Sequence, residues 1–305
     1  MEVKAKVLVD WGTSQFRALL ISNKGNLLDS IETNDGAARM HRRVQEGSSY
    51  EIFLEETLHR WLEDCSLPVI LVGMLGSSIG WVPVPAVRCP ASIDDTLGHL
   101  HKVNFKCPAA IVPGMAAINR SKTADFMRGE ESQIFGWWVG EGKPMAEYSL
   151  CLPGTHTKWV DFAAGHIKSF STALTGELYA LLSKHSILAS SEQQHNRDEF
   201  MNGVYQAVNY PGVIHQLFSC RSKVLEGELS GDDHHSYMSG LLIGDEVSTL
   251  AAADGKFFKR PVFIIGNPFL SELYQLVISQ FGTQVETSKA TDCLVHFASE
   301  VNINN

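Results

Sequence analysis

The chain lacks most of the signatures by which a function is commonly read. It has no G-x-x-x-x-G-K-[ST] and no G-x-G-x-x-G, so the P-loop and Rossmann routes to nucleotide binding are unsupported. No stretch approaches the roughly 18 consecutive apolar residues of a membrane span. Met1 to Lys6 contains no apolar signal core. The six cysteines form no C-x-x-C pair, which argues against a zinc site or a disulfide framework and leads us to expect reduced thiols in the cytoplasm. Basic residues are outnumbered, 25 Lys and Arg against 34 Asp and Glu, for a net charge of −9. That excludes a broad basic face for nucleic acid but leaves room for a small anion held by local amides and cations.

With 305 residues, 44% hydrophobic and 19% charged, the composition is that of a globular protein with room for two domains. The sequence also repeats itself. Segment 6-KVLVDWGTSQFRALLISNKGNLLDSIETNDG-36 returns in altered form as 148-YSLCLPGTHTKWVDFAAGHIKSFSTALTG-176. Each reads as an apolar strand, Gly-Thr, an alternating strand, a glycine turn, a third strand and a closing glycine, that is, a three-stranded meander. Helical spacing follows in Tyr50–Leu62 and again in Glu177–Leu188, and strands are expected at 68-PVILVG-73 and 261-PVFIIG-266. The pattern predicts two similar α/β domains with mixed sheets, 1–142 and 143–305, divided near the Gly-Glu-Gly-Lys-Pro interruption. Glycines between strands are common, and a coincidental repeat is the competing reading.

A tight Gly-Thr turn exposes backbone amides that can cradle an anion. Gly12-Thr13-Ser14 in the first copy and Gly154-Thr155 in the second would clamp a polyphosphate, with the Thr157 hydroxyl as a further donor. Asp10, closing the first strand, could hold a hydrated Mg²⁺, which favours one or two carboxylates plus waters and phosphate oxygens. Arg17 and Lys158, one hairpin arm beyond each turn, could neutralise phosphate charge, and His156 could donate to a phosphate oxygen or shape its turn. Two ordinary β-turns would carry the same residues.

In 127-MRGEESQIFG-136, two carboxylates open an apolar helical run. They are either acids stabilising a helix start or a base for a hydroxyl proton. Arg128 suits a bidentate grip on a carboxylate. Segment 73-GMLGSSIGW-81 contains G-x-S-x-G, but the prolines of Trp81-Val82-Pro83-Val84-Pro85 deny the helix that a nucleophile elbow requires. The acids and histidines of 231-GDDHH-235 lack a convergent ligand geometry, so Asp232 or Asp233 is expected to cap a helix through Gly240 to Leu250.

Asp10-Trp11-Gly12-Thr13-Ser14-Gln15-Phe16-Arg17 resembles the first phosphate motif of the actin, hexokinase and Hsp70 superfamily. More narrowly, 73-GMLGSSIGW-81, 127-MRGEESQIFG-136, 153-PGTHTKWV-160, 172-TALTGELYALL-182 and 239-SGLLIGDEV-247 resemble the 2-dehydro-3-deoxygalactonokinase family, in its order and over most of the chain. Asp245 departs from the small residue expected in the last of these, and 287–301 matches the family's ending only loosely.

The resemblance implies an α/β protein of two actin-like (ribonuclease H-like) domains flanking an ATP cleft. The first domain would take the sugar acid and one phosphate turn, the second the other turn and the adenosine. The implied reaction moves the ATP γ-phosphoryl group to the 6-hydroxyl of a 2-keto-3-deoxy sugar acid, with Mg²⁺ on Asp10. By its place after Gly129, Glu130 resembles the catalytic acid of sugar kinases, with Glu131 its rival. The resemblance places the sugar acid near Met74, Gly76, Ser77, Trp81, Arg128 and Glu131, and the adenosine against Gly266 and Asn267, where a strand passes into a helix begun by Pro268. A kinase for another sugar and an actin-like nucleotide switch are the alternatives, and oligomeric state is left open.

Overall fold

Ala5–Trp11 (β1) and Phe16–Ser22 (β2) are buried over most of their length, as expected of strands covered on both faces of a sheet. A computed structural model describes residues 5–63, 65–189 and 195–303. After β2 come β3 (Leu27–Thr33), α1 (Ala37–Gln45), α2 (Tyr50–Thr57), β4 (Val69–Gly73), β5 (Val87–Arg88), β6 (Ala91–Ser92) and α3 (Ile93–Leu97). Next are β7 (His101–Val103), β8 (Ala109–Ile111), β9 (Met115–Ile118), β10 (Ala124–Met127) and α4 (Glu130–Gly140). The second meander is β11 (Glu147–Leu152), β12 (Thr157–Ala163) and β13 (His166–Ala173). It leads to α5 (Thr175–His185), α6 (Arg197–Asn209), α7 (Val213–Gln216), α8 (Ser219–Leu225) and α9 (His234–Ala253). The chain closes with β14 (Val262–Gly266), α10 (Pro268–Ile278), β15 (Val285–Lys289) and α11 (Ala290–Glu300).

The chain divides into two compact units that are not contiguous halves. Unit 1 comprises 1–146, 162–170 and 288–305; unit 2 comprises 147–161 and 171–287. The expected division of 1–142 and 143–305 therefore meets two excursions. The far hairpin of β12 and β13 belongs to unit 1, where His166 and Ile167 pair antiparallel with Ser92 and Ala91 of β6. Residues 288–305 belong there because α11 packs on α4, with Cys293 O only 1.8 Å from where a Gly136 Cβ would stand.

In unit 1 the sheet runs β3-β2-β1-β4-β8-β7, with β1 antiparallel to β2 and parallel to β4. Unit 2 repeats the order as β13-β12-β11-β14-β15, with β11 parallel to β14. Two mixed sheets of this order, each opened by a meander, make an actin-like two-domain fold. The core of unit 1 gathers Val7, Val9, Trp11, Phe16 and Phe53; that of unit 2 gathers Trp159, Phe200, Val247, Phe257 and Ile264. Asp245 accepts the Val213 amide at the start of α7, so an acid stands where a small residue was expected because it caps a neighbouring helix. No helix among the described residues is long and apolar enough to cross a membrane.

Candidate active site

The repeat is carried through to atomic detail. In unit 1, Ala37 and Ala38 at the start of α1 donate their amides to Gly12 O (2.9 Å) and Thr13 O (3.2 Å). A Cβ on Gly36 would stand 2.3 Å from Thr13 O, so only glycine lets helix and turn meet. In unit 2, Glu177 of α5 donates to Thr155 O at 2.9 Å, and a Cβ on Gly176 would stand 2.1 Å from Gly154 O. The peptide plane is trans, so a carbonyl pointing into the helix turns the following amide the other way. The Thr13, Ser14 and His156 amides accordingly face away from their backing helices. Thr13, Ser14, Gly12, Gly154 and Thr155 all retain exposure to solvent.

Three cations and hydroxyls expected at phosphate are occupied otherwise. Arg17 donates Nη2 to Asp10 Oδ2 (2.6 Å) and Nη1 to Thr291 Oγ1 of α11 (2.9 Å); Asp10 and Arg17 are cross-strand partners on β1 and β2. Lys158 is buried and donates to His156 O at 3.1 Å, and Thr157 is buried against the Tyr274 hydroxyl at 2.9 Å. Thr157 and Lys158 open β12, whose first four residues are all buried. His156 Nε2 lies 2.5 Å from Glu177 Oε2, which shapes the turn from the α5 side.

Burial pushes the Asp10 carboxyl above the ordinary carboxylate range; the Arg17 charge pulls it back, and the Glu130 charge adds to the rise. Two carboxylates that repel each other beside one arginine are a donor set that a hard cation would relieve. A single half-bonded aspartate suits Mg²⁺, which keeps waters and phosphate oxygens for its other positions. No group of three or more metal-ligating side chains occurs among the described residues. At 231–235, His234 has Gly231 O at 2.6 Å and Leu188 O at 2.8 Å on its two ring nitrogens, so neither is turned to a metal. Asp233 holds the N-cap position of α9 without a side-chain cap bond.

Gly129 precedes α4 with φ +103°, and a Cβ there would stand 3.1 Å from Gly73 Cα and 3.6 Å from Asp10 Oδ1. The turn thus seats the start of α4 on the end of β4 beside Asp10. Glu130 is partly exposed, with Oε2 accepting the Arg128 amide at 3.0 Å. Glu131 is fully buried; both its oxygens accept the Gly129 amide (2.7 and 2.9 Å) and one takes the Ser132 hydroxyl. Its carboxyl group therefore faces inward, away from solvent, whereas the sequence reading set it at the sugar acid.

Arg128 donates Nη2 to Val84 O at 2.9 Å, while its buried Nη1 makes no hydrogen bond among the described residues. That nitrogen lies 3.2 Å from where a Gly76 Cβ would stand. The 74–81 loop is tied down at Ile79: Tyr50 donates its hydroxyl to Ile79 O (2.6 Å), and Ser77 Oγ accepts the Ile79 amide. Met74 and Trp81 are half-buried, Trp81 edge-on to Phe105, while Gly76 and Ser77 are buried. The structure brings Gly76 and Arg128 together; Met74 and Trp81 pack against the unit 1 core.

Unit 2 contains a cavity of about 170 Å³ whose walls include Gly154, Gly176, Tyr179, His195, Phe269 and Leu273. Gly266 and Asn267, expected at the adenosine, do not line it. Gly266 packs near Pro153, and Asn267 caps α10 by accepting the Phe269 amide at 2.9 Å, which positions the helix that does. Sequence reasoning missed Tyr179 and Phe269, whose spacing reads as ordinary amphipathic helix, and His195, which lies between α5 and α6. It also missed Glu246, which collects Trp159 Nε1 (2.5 Å), the Tyr274 hydroxyl (2.7 Å) and the Thr175 side chain under the cavity floor.

A phosphate-type turn backed by a glycine-started helix, twice over, with an arginine and an acid opening α4, calls for comparison with known proteins. The family model described as 2-keto-3-deoxy-galactonokinase matches residues 10–298. A curated 2-dehydro-3-deoxygalactonokinase of Escherichia coli (strain K12) is 30% identical over 282 residues, covering 92% of this chain and 91% of that protein. A Rhizobium meliloti (strain 1021) protein named for the same activity is 29% identical, covering 94% and 92%. A crystal structure from Sinorhizobium meliloti described under that activity superposes with a TM-score of 0.84 at 27% identity, over 96% of this chain and 97% of that one. Asp10, both glycine turns and the Arg128–Glu131 segment all fall inside the matched span, and the chain belongs to the 2-keto-3-deoxy-galactonokinase family.

Proposed function

We propose that this chain transfers the γ-phosphoryl group of ATP to the 6-hydroxyl of 2-keto-3-deoxygalactonate. The observation that carries the sugar-acid half is the buried, unbonded Nη1 of Arg128 beside Gly76. A buried cationic N–H without a partner is costly, and a substrate carboxylate would satisfy it. Glu130, partly exposed beside Asp10, is placed to orient the attacking hydroxyl and take its proton. The turn at Gly12-Thr13-Ser14 in unit 1 and that at Gly154-Thr155 in unit 2 would each offer amides to phosphate oxygens. The unit 2 cavity next to Gly154 would take the adenosine, its Tyr179 and Phe269 rings facing the base.

Mg²⁺, held through Asp10, would neutralise phosphate charge when bound. Arg17 acts one step back: it fixes the Asp10 carboxylate and is itself fixed by Thr291. Phosphoryl transfer asks little covalent chemistry of the protein, so positioning and charge carry the rate. The partners of this reading are the nucleotide and the sugar acid, and its six free thiols suit the cytoplasm.

The test is ADP release from Mg-ATP with and without 2-keto-3-deoxygalactonate, in wild type and Glu130→Gln. Sugar-dependent release that falls by about 10²–10⁴ in the variant is the expected result. Release that ignores the sugar acid in the wild type would overturn the substrate; full activity in the variant would overturn the base.

A further inference from the structure

The two acids that open α4 do different work, and their hydrogen bonds separate them. Glu130 bonds the Arg128 amide from a partly exposed position, while Glu131, at 0% exposure, turns back on the Gly129 amide with both oxygens. Gly129 has a left-handed φ of +103° and lies against Gly73 and Asp10 Oδ1, so its peptide orientation fixes where Glu130 stands. An amide locked by a buried acceptor cannot rotate without leaving that acceptor unsatisfied. Ser132 Oγ, 3.2 Å from Glu131 Oε1, holds the carboxyl group from its other side.

We infer that Glu131 is a positioning residue, whose buried carboxyl group clamps the Gly129 peptide and through it holds Glu130 beside Asp10. The inference rests on the kinase reading above for its catalytic consequence, but the clamp is a property of the fold. An acid placed only to stabilise a helix start would act from the surface through the helix dipole; Glu131 is sealed from solvent and bonded to one specific amide. The charged groups that face it are Glu130 and Arg128. Burial, and then the Glu130 charge, push its carboxyl up to about 8. Whether ionised or protonated, a carboxyl oxygen can accept the Gly129 amide, and a glutamine can do the same.

The experiment compares wild type, Glu131→Gln, Glu131→Leu and Glu130→Gln by steady-state kinetics, and follows the ¹⁵N-glycine spectrum against pH. Glu131→Gln is expected to keep kcat near wild type, because its amide oxygen replaces the acceptor. Glu131→Leu is expected to lose about 10²-fold in kcat, the scale of a small misplacement, with both KM values little changed. Glu131→Gln as inactive as Glu130→Gln would make Glu131 the base and overturn the inference; so would a wild-type kcat in Glu131→Leu. The Gly129 amide resonance decides independently of activity and of whether the leucine variant folds. The amide should exchange slowly with solvent, as a hydrogen-bonded amide does, in wild type and in Glu131→Gln across the pH range; a fast-exchanging Gly129 amide in wild type would overturn the clamp. Wild type without sugar-dependent turnover would instead overturn the kinase reading, and the resonance alone would then judge the clamp.

Discussion

A guanidinium with one nitrogen bonded and another bare makes a sharp prediction at the scale of a residue. Arg128→Lys keeps the charge but loses the fork that spans Val84 O and the space beside Gly76. The sugar-acid KM should rise by about tenfold or more, the worth of one charged hydrogen bond, with the ATP KM nearly unchanged. An equal rise in both would place Arg128 outside the sugar site. Glu131 gives a second prediction, in stability. Its folded-state pKa is raised, so the native state keeps a proton that the unfolded chain gives up from about pH 4.5 upward. Its contribution is therefore whole below pH 4.5 and is lost as pH rises through about 8, at up to ~1.4 kcal/mol per pH unit. Denaturant titrations should show wild type losing stability relative to Glu131→Gln across that window and running parallel above it. A constant offset would mean that the carboxyl is ionised throughout.

At the scale of an element, each phosphate turn depends on its backing helix. Gly176→Ala would drive a methyl into the Gly154 carbonyl, an atom that cannot move without moving the turn. Overpacking of this kind costs about 1–3 kcal/mol, and the displaced turn should raise the ATP KM. A variant with unchanged melting temperature and ATP KM would mean that the turn is not used. The elements were the most legible part of the chain. Both meanders, both later strands and the glycine correspondence were readable because short apolar runs and turn chemistry are local properties. Side-chain destinations were not. Arg17, Lys158 and Thr157 sit at the spacing of phosphate ligands, yet the sheet sends them to Asp10, to the His156 carbonyl and to Tyr274. The cavity walls from α5 and α10 were invisible for the complementary reason: an aromatic that lines a cavity and one that fills a core look alike in sequence.

For the molecule as a whole, the decisive fact is that unit 1 is closed by the two ends of the described chain. Lys6 Nζ on β1 donates to Ala298 O (2.7 Å) and Val301 O (3.0 Å), bonding the last carbonyls of α11 as a cation at a helix C-terminus should. Thr291 of the same helix steadies Arg17, and Cys293 lies against Gly136. Ending the chain at Thr287 should thus expose the α4 face and abolish turnover together with cooperative melting of unit 1. Retention of a wild-type melting profile would show that α11 is dispensable. No sequence rule foretold this exchange, because it rests on contacts between residues nearly 300 positions apart.

A consequence for biosynthesis follows. Domains generally fold in the order in which they leave the ribosome. Here every residue of unit 2 is synthesised before the α11 segment that completes unit 1. Translation starts unit 1 before unit 2 and returns to it afterwards, so a nascent chain should hold a folded second unit while its first waits on the segment from residue 288 onward. Stalling just before that stretch would leave Arg17 without its Thr291 brace beside Asp10, and the protein should be silent until α11 has been made.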